Sequence, residues 1–316
     1  MQKGYKSEVG AYRKDSFMKD IISIDNKQIE LLDIGAGKHT LIIQTGMYCS
    51  FYEWLEIINN ISLYNRVIIY HRPGYGNSEL GSEQRTTKQT VRELSELLKV
   101  LQIEDPIILI GHSYGGLCAQ HFTKVHPNKV ASLLLIDSTS VNLHMLDELD
   151  LPVSDEQNSD KVWVEKCQKY SRMNSDELKK KLNIELSKEQ MKLPENIRDG
   201  ILEFNINPNL YKAVLSEINN WYDDALEIKA MGDFPNIPLQ ILARDPKYSM
   251  ELQIDEGIPY EEAKIFEDTW NYLIWEQANL SNKSEFHIVD KASHSIHLDK
   301  PEVVINTIRE LIRNFT

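Results

Sequence analysis

Cysteine is scarce in this chain, which carries only Cys49, Cys118 and Cys167 among its 316 residues. So few and so scattered cysteines exclude a disulfide framework and a zinc site built from clustered thiolates. We therefore predict reduced thiols, which are typical of a cytoplasmic protein, and no bound metal.

Long apolar runs are also missing. Residues 1–17 are polar and charged, without the hydrophobic stretch of a signal peptide. No later run approaches the ~20 apolar residues that are needed to span a bilayer. These absences predict a chain that is neither secreted nor inserted in a membrane.

Basic residues are outnumbered, because 35 Lys and Arg face 48 Asp and Glu and the net charge is −13. Phosphate groups are bound by clustered Lys and Arg side chains. This balance therefore argues against nucleic acid and against an anionic membrane surface as partners. A hydrophobic fraction of 41% still provides a sizeable core for a chain of this length.

Continuous apolar runs recur along the first half of the chain, at residues 67–70, 106–110 and 133–136. Such runs are typical of strands that are buried on both faces of a parallel sheet. Between them, residues 86–101 and 114–125 carry apolar side chains at helical spacing. The alternation predicts an α/β protein with a doubly wound sheet.

The alternation stops over residues 140–235, which are charged and helix-like. We read this stretch as a helical cap inserted into one α/β core, formed by residues 20–139 and 236–316. Residues 1–19 are predicted to be a leader. A second helical excursion is expected over residues 247–280.

The strongest motif is a G-x-S-x-G sequence in which Gly111 and Gly115 flank Ser113. It directly follows the apolar run 106–110 and precedes a helix predicted to begin near Tyr114. A serine hydroxyl is a weak nucleophile unless a tight turn presents it beside a base, and small flanking residues allow such a turn. This context predicts a nucleophile elbow with Ser113 as the nucleophile.

Several segments together resemble the α/β-hydrolase superfamily, in its esterase-like serine-hydrolase branch with a helical cap. The resemblance covers roughly residues 20–140 and 236–315, and its motifs lie at residues 45–47, 70–78, 111–116 and 293–301. It implies an eight-stranded, mostly parallel sheet with a lid over the active site.

A serine nucleophile needs a general base, and in this fold the base comes last in chain order. His294 lies in the loop between the run 286–289 and the last helix. His297, three residues further on, is its rival. We favour His294.

Two aspartates compete for the acid that orients this histidine. Asp137 ends the sixth predicted strand, and Asp245 follows the seventh. Relatives usually carry a glycine shortly before a seventh-strand acid, and the segment 243–246 lacks it. We favour Asp137 by its spacing and keep Asp245 as the alternative.

The resemblance also implies an oxyanion hole made of two backbone N–H groups, here those of Met47 and Tyr114. Most relatives have His-Gly where this chain has Thr45-Gly46. Because the donor is a backbone group, the change need not abolish the hole. The segment 71–76 is interpreted as a structural turn.

These features lead us to expect a cofactor-free serine hydrolase that cleaves an ester-like bond of a small molecule through an acyl-enzyme. A proline-iminopeptidase-like enzyme and a carbon–carbon-bond hydrolase remain as alternatives. Haloalkane dehalogenases and epoxide hydrolases of this fold carry aspartate at the elbow, so Ser113 argues against both. An alternative of another class is a triad-bearing small-molecule receptor or signalling protein with little turnover.

Overall fold

A single sheet organises the chain in a computed structural model that describes residues 19–314. Nearly all of the predicted leader, residues 1–19, lies outside the described residues. The strands of the sheet are β1 (Asp20–Ile24), β2 (Lys27–Ile34), β3 (Thr40–Gln44), β4 (Arg66–Tyr70), β5 (Ile107–His112), β6 (Val130–Ile136), β7 (Leu239–Ala243) and β8 (Ser284–Ile288).

The order of the strands across the sheet is β1-β2-β4-β3-β5-β6-β7-β8. The pairs β1–β2 and β2–β4 are antiparallel, and the other neighbouring pairs are parallel. The predicted doubly wound, mostly parallel eight-stranded sheet is therefore confirmed.

Helices connect the strands and cover both faces of the sheet. They are α1 (Leu55–Ile61), α2 (Thr87–Val100), α3 (Tyr114–Val125), α4 (His144–Asp147), α5 (Pro152–Asn158), α6 (Asp160–Tyr170), α7 (Ser175–Leu182), α8 (Glu195–Asn205), α9 (Pro208–Ala230), α10 (Pro246–Asp255), α11 (Tyr260–Trp275), α12 (Ile296–Asp299) and α13 (Pro301–Asn314). None of the helices described here has both the length and the apolar character that a bilayer crossing requires.

The insertion between β6 and β7 consists of α4 to α9, which fall within the predicted cap at residues 140–235. Helices α10 and α11 follow β7, and both fall in the region where a second helical excursion was expected. That α4 to α9 form a separate cap over the site stays a prediction.

Apolar side chains of the central strands alternate between the two faces of the sheet. Leu134 of β6 belongs to the same core cluster as Ile58 of α1 and Ile308 of α13. Its neighbour Leu133 belongs to the opposite cluster, together with Phe122 of α3. Because both faces are covered by helices, the central strands are apolar throughout rather than alternating in polarity.

The parallel direction of β3, β5, β6 and β7 brings their carboxyl ends to one edge of the sheet. Loops that follow such strands meet in a common crevice. The residues directly after these strands are Thr45, Ser113, Asp137 and Arg244. The topology therefore brings together the predicted nucleophile, the predicted acid and the loop after β3, which carries the predicted oxyanion donor Met47.

We expect Leu134→Ala to lower the free energy of unfolding by about 2–5 kcal/mol, because Leu134 is fully buried and its loss leaves a cavity between two layers. Leu63→Ala, at a side chain that is 51% exposed, is the control and should change stability by less than about 0.5 kcal/mol. Urea unfolding followed by circular dichroism measures both. Equal losses in the two variants would contradict the assigned core.

Candidate active site

Ser113 occupies the sharp turn that joins β5 to α3. Its backbone angles are φ 53° and ψ −127°, outside the regions that a residue with a side chain readily adopts. The turn is held on both sides, because Ser113 N–H donates to Ile136 O at 3.1 Å and Thr139 N–H donates to Ser113 O at 3.0 Å. The backbone at Ser113 is therefore the strained strand-to-helix turn that a nucleophile elbow requires.

Two glycines allow the loop after β3 to lie against this turn. A Cβ on Gly115 would lie 2.2 Å from Gln44 O and 2.4 Å from Thr45 O. A Cβ on Gly46 would lie 3.1 Å from the Cβ of Ser113. The first turn of α3 thus rests on the end of β3, and the backbone of Gly46 is next to Ser113.

The two predicted oxyanion donors belong to the two segments that meet here, Tyr114 to the start of α3 and Met47 to the loop after β3. Tyr114 is the first residue of α3, where a backbone N–H has no partner within the helix. Met47 N–H donates to no group among residues 19–314. Both N–H groups are therefore free to bind an oxygen atom of a ligand beside Ser113.

His294 forms a short hydrogen bond with Asp137, in which Nδ1 lies 2.6 Å from Oδ2. Asp137 is completely buried at the end of β6, whereas the His294 side chain is 37% exposed. The backbone N–H of Arg244 donates to Asp137 Oδ1 at 3.1 Å. The indole N–H of Trp270 lies 3.1 and 3.2 Å from the two carboxylate oxygens.

These partners keep Asp137 ionised. Burial alone would raise the pKa of this carboxyl, but the Arg244 guanidinium and the His294 hydrogen bond outweigh it, so the pKa lies below its ordinary value. A carboxylate with both oxygens engaged fixes the imidazole tautomer that leaves Nε2 free to accept a proton.

Asp245, the alternative acid, is engaged elsewhere. Its Oδ1 accepts hydrogen bonds from the backbone N–H groups of Lys247 and Tyr248, at 3.0 and 3.2 Å, and so caps α10. Its Oδ2 accepts one from Lys291 N–H at 3.0 Å. The structure brings Asp137, and not Asp245, into hydrogen-bonding distance of His294.

His297, the rival base, is buried against α1 and its preceding turn. Its ring stacks on Trp54 with centroids 4.4 Å apart, and its Nε2 lies 3.4 Å from Glu53 Oε2. His297 is thus held in a structural contact, while His294 stays partly open to solvent at the sheet edge.

The side chain of His112, beside the elbow, supports the loop between β8 and α12, which carries His294 and is called the histidine loop below. Burial lowers its pKa well below the ordinary value, so the ring is neutral. Its Nε2–H donates to the carbonyl oxygen of His294 at 2.9 Å. The residue before the predicted nucleophile therefore fixes the backbone that carries the predicted base.

Sequence reasoning expected the 247–280 region near this edge of the sheet but missed its contacts with Asp137 and His294. Trp270 of α11 contacts the His294 ring edge-to-face, with centroids 5.5 Å apart. The Arg244 guanidinium lies over the Trp270 ring at 4.3 Å and binds Glu267 through two hydrogen bonds. The tryptophan was visible in the sequence, but nothing there indicates that its N–H reaches an aspartate 133 residues earlier.

The loop after β3 is anchored beyond Met47 by a buried histidine–carboxylate pair. His71 Nε2 contacts Ser50 Oγ at 3.0 Å and accepts from Phe51 N–H at 3.3 Å. Its Nδ1–H donates to Glu30 Oε2 at 2.7 Å. Burial would raise the pKa of Glu30, but hydrogen bonds from His71 and Asn77 outweigh it and lower this pKa to about 2.

No group of three or more His, Cys, Asp and Glu side chains within residues 19–314 is arranged to hold a metal ion. Cys49, Cys118 and Cys167 are free thiols.

Comparisons with known proteins agree with this fold. The family model described as the alpha/beta hydrolase fold matches residues 39–171, a stretch that contains Ser113 and Asp137. A pimeloyl-[acyl-carrier protein] methyl ester esterase of Wigglesworthia glossinidia brevipalpis is 30% identical over 108 residues, which are 34% of this chain and 39% of that protein. A soluble epoxide hydrolase of Corynebacterium sp. (strain C12) is 28% identical over 134 residues, which are 42% of this chain and 45% of that protein.

Among solved structures, a thermophilic esterase from Thermogutta terrifontis has a TM-score of 0.60 at 19% identity, and the match covers 94% of this chain and 99% of that one. This likeness shows the fold. The first curated relatives, in contrast, are matched over only 37% to 50% of their own length.

We expect Glu30→Gln to lower the free energy of unfolding by about 2–3 kcal/mol at pH 6, because it removes the ionised partner of His71. The pKa of Glu30 is lower in the folded than in the unfolded chain. Its contribution is therefore complete above about pH 4.5 and is lost as the pH falls towards 2. Denaturant unfolding at pH 6, 4 and 3 should show the gap between wild type and variant narrowing with acidity.

The control for this experiment is Glu96→Gln, which removes a carboxylate from an exposed pair with Lys99. A gap for Glu30→Gln that stays constant from pH 6 to pH 3, or one no larger than that of the control, would contradict the assigned ionisation.

Proposed function

We propose that this chain, a member of the α/β-hydrolase superfamily, is a serine hydrolase that cleaves an ester-like bond in a small molecule. The observation that carries the proposal is the His294–Asp137 hydrogen bond of 2.6 Å at the sheet edge where Ser113 stands in its strained turn. An elbow serine, a buried carboxylate and an imidazole, in this chain order, are the parts of an acyl-transfer site.

In the proposed reaction, Ser113 Oγ attacks the carbonyl carbon while His294 Nε2 accepts the hydroxyl proton. Asp137 stabilises the imidazolium that forms, and the N–H groups of Met47 and Tyr114 bind the oxyanion. His294 then gives the proton to the leaving alcohol. Water, deprotonated by the same histidine, hydrolyses the acyl-enzyme.

An apolar cluster beside the proposed oxyanion hole supports an acyl group of low polarity. Its six buried members include Tyr114 and Leu143, and Met47, Val141 and Trp221 pack against them while remaining partly accessible. Trp221 belongs to α9. We infer that this helix forms one wall of the acyl pocket and that the insertion acts as a cap.

The relatives include both an esterase and an epoxide hydrolase, and the residue at the elbow supports ester cleavage over epoxide opening. Epoxide hydrolases of this superfamily use an aspartate at the elbow, and a serine stands at that position here. A carboxylate nucleophile forms an ester that water can cleave, whereas a serine alkylated by an epoxide would form a stable ether. We also propose a cytoplasmic location, where the free thiols of this chain would stay reduced.

A fluorophosphonate probe should label Ser113 and no other serine, because Ser113 stands in the strained turn at the sheet edge that also holds the His294–Asp137 pair. Intact mass and peptide mapping identify the labelled residue. Ser113→Ala should abolish labelling and lower the rate on a series of short-chain chromogenic esters by several orders of magnitude, with unchanged circular dichroism. Labelling at another serine would move the nucleophile. No labelling together with no turnover would favour a small-molecule receptor.

Asp137→Asn should lower kcat by a factor on the order of 10⁴, because the His294 imidazole is then free to adopt the wrong tautomer. Asp245→Asn is the matched control, since it changes the same residue type at the neighbouring strand end. Asparagine caps a helix about as well as aspartate, so this variant should keep the cap of α10 and lose only the acceptor of Lys291 N–H, which should cost about 1 kcal/mol of stability with little change in kcat. The reverse pattern would assign the acid to Asp245.

A further inference from the structure

Arg72 holds the backbone of the loop that carries the proposed donor Met47. We call residues 45–48 the oxyanion loop. Arg72 Nη1 donates to Thr45 O at 2.6 Å, and Nη2 donates to Gly46 O at 3.1 Å. Arg72 is 1% exposed, so these bonds form in a region without solvent.

The charge of Arg72 is balanced by a residue of the helical insertion. Glu217 of α9 is fully buried and accepts from Arg72 Nε at 2.8 Å and from Nη2 at 3.3 Å. The two residues are 145 positions apart in the chain. A buried guanidinium keeps its geometry only while its counter-charge is in place, so the grip on the oxyanion loop depends on α9.

Because the peptide group between Gly46 and Met47 is planar, the hydrogen bond from Arg72 to Gly46 O also fixes the direction of Met47 N–H. In a trans peptide the C=O and the N–H point to opposite sides. Because Arg72 holds the Gly46 carbonyl, Met47 N–H points away from Arg72. That N–H has no partner among the described residues, and a Cβ on the preceding Gly46 would lie 3.1 Å from the Cβ of Ser113.

The other end of Met47 is held by the same charge network. Tyr48 N–H donates to Tyr75 Oη at 3.1 Å, and Tyr75 O–H donates to Glu217 Oε2 at 2.5 Å. Tyr48 adopts φ 61°, a left-handed conformation that needs such support. Both peptide groups that flank Met47 are thus tied to Glu217.

We propose that Arg72 and Glu217 are a positioning pair that orients Met47 N–H for the oxyanion, so that a residue of the inserted helix α9 completes the oxyanion hole. The inference rests on the proposed function. It makes the insertion part of the catalytic apparatus, in addition to a wall of the substrate pocket.

The chain contains a second buried pair that serves as a control. Arg85 and Glu93 are joined by two hydrogen bonds of 2.6 and 2.7 Å and are as deeply buried as Arg72 and Glu217. Arg85 and Glu93 make no hydrogen bond to the oxyanion loop. Glu93→Gln therefore reproduces the loss of a buried counter-charge without the loss of the grip on Met47.

The experiment compares Glu217→Gln with Glu93→Gln in the full chain. Both variants should lose stability, seen as a lower denaturant midpoint. Only Glu217→Gln should lower kcat, by about 10-fold to 100-fold with KM nearly unchanged, since removing one oxyanion donor costs on the order of 10²–10³ in kcat and a displaced donor retains part of it. Hydrogen exchange at the Tyr48 amide should become faster in Glu217→Gln alone.

A wild type that labels at Ser113 and turns over ester, with a Glu217→Gln variant that keeps its kcat, would overturn this inference alone. Equal losses of kcat in the two variants would also overturn it. If Glu217→Gln does not fold, Tyr75→Phe removes only the hydroxyl between Glu217 and Tyr48 N–H and should lower kcat several-fold. An unchanged kcat in Tyr75→Phe would then count against the inference. Failure of Ser113 labelling in the wild type overturns the proposed function instead.

Discussion

The carboxylate of Asp137 is a charge buried without access to water, and three other segments of the chain are arranged to stabilise it. A charge in such a place is unstable unless donors surround it. Here the donors come from the backbone after β7, the indole of Trp270 on α11 and the imidazole of His294 after β8. Each of these segments must be in its native position for the carboxylate to be tolerated. The Asp137 carboxylate therefore couples the end of β6 to the backbone after β7, to α11 and to the loop that carries His294.

A second buried charge, of opposite sign, organises the other side of Ser113. Arg72 joins the oxyanion loop to Glu217 on α9, as the Asp137 network joins the histidine loop to α11. Both helices lie in insertions between strands rather than in the regular βα repeat. The sheet supplies the residues proposed to react, and the insertions supply the groups that hold them. Substitutions in these insertions that reshape the substrate pocket would thus also alter the groups that hold the proposed reacting residues in place.

The sequence predicted the features that depend on local patterns. The apolar runs located the strands because strands covered on both faces are apolar throughout, and the G-x-S-x-G motif located the turn at Ser113 because small residues must flank it. Spacing favoured Asp137 over Asp245, and the structure places Asp137 against His294. The role of Asp245 as a helix cap was not foreseen, although aspartate directly before Pro246 is a typical start of a helix.

The long-range partners could not be predicted. Trp270 and Asp137 are 133 residues apart, and Arg72 and Glu217 are 145 apart. Glu217 lies in a helix that also carries the exposed Asp223 and Glu227 and the buried Asp224, so residue type alone does not tell which of its carboxylates is buried. The segment 71–76 was interpreted as a plain turn because its proline and glycines suffice to explain a turn. Its arginine and tyrosine are needed for another reason, which only the packed structure reveals.

The grip of Arg72 also accounts for the departure of this chain from the His-Gly of most relatives. Arg72 binds the carbonyl oxygens of Thr45 and Gly46, and the group left free beside Ser113 is the backbone N–H of Met47. The Thr45 side chain adds only a long contact of 3.4 Å to the same guanidinium. The direction of the donor is therefore set by backbone carbonyls and a buried cation, and it does not require a particular side chain at position 45. Glycine at position 46 cannot vary as freely, since any side chain there would press against Ser113 and His112.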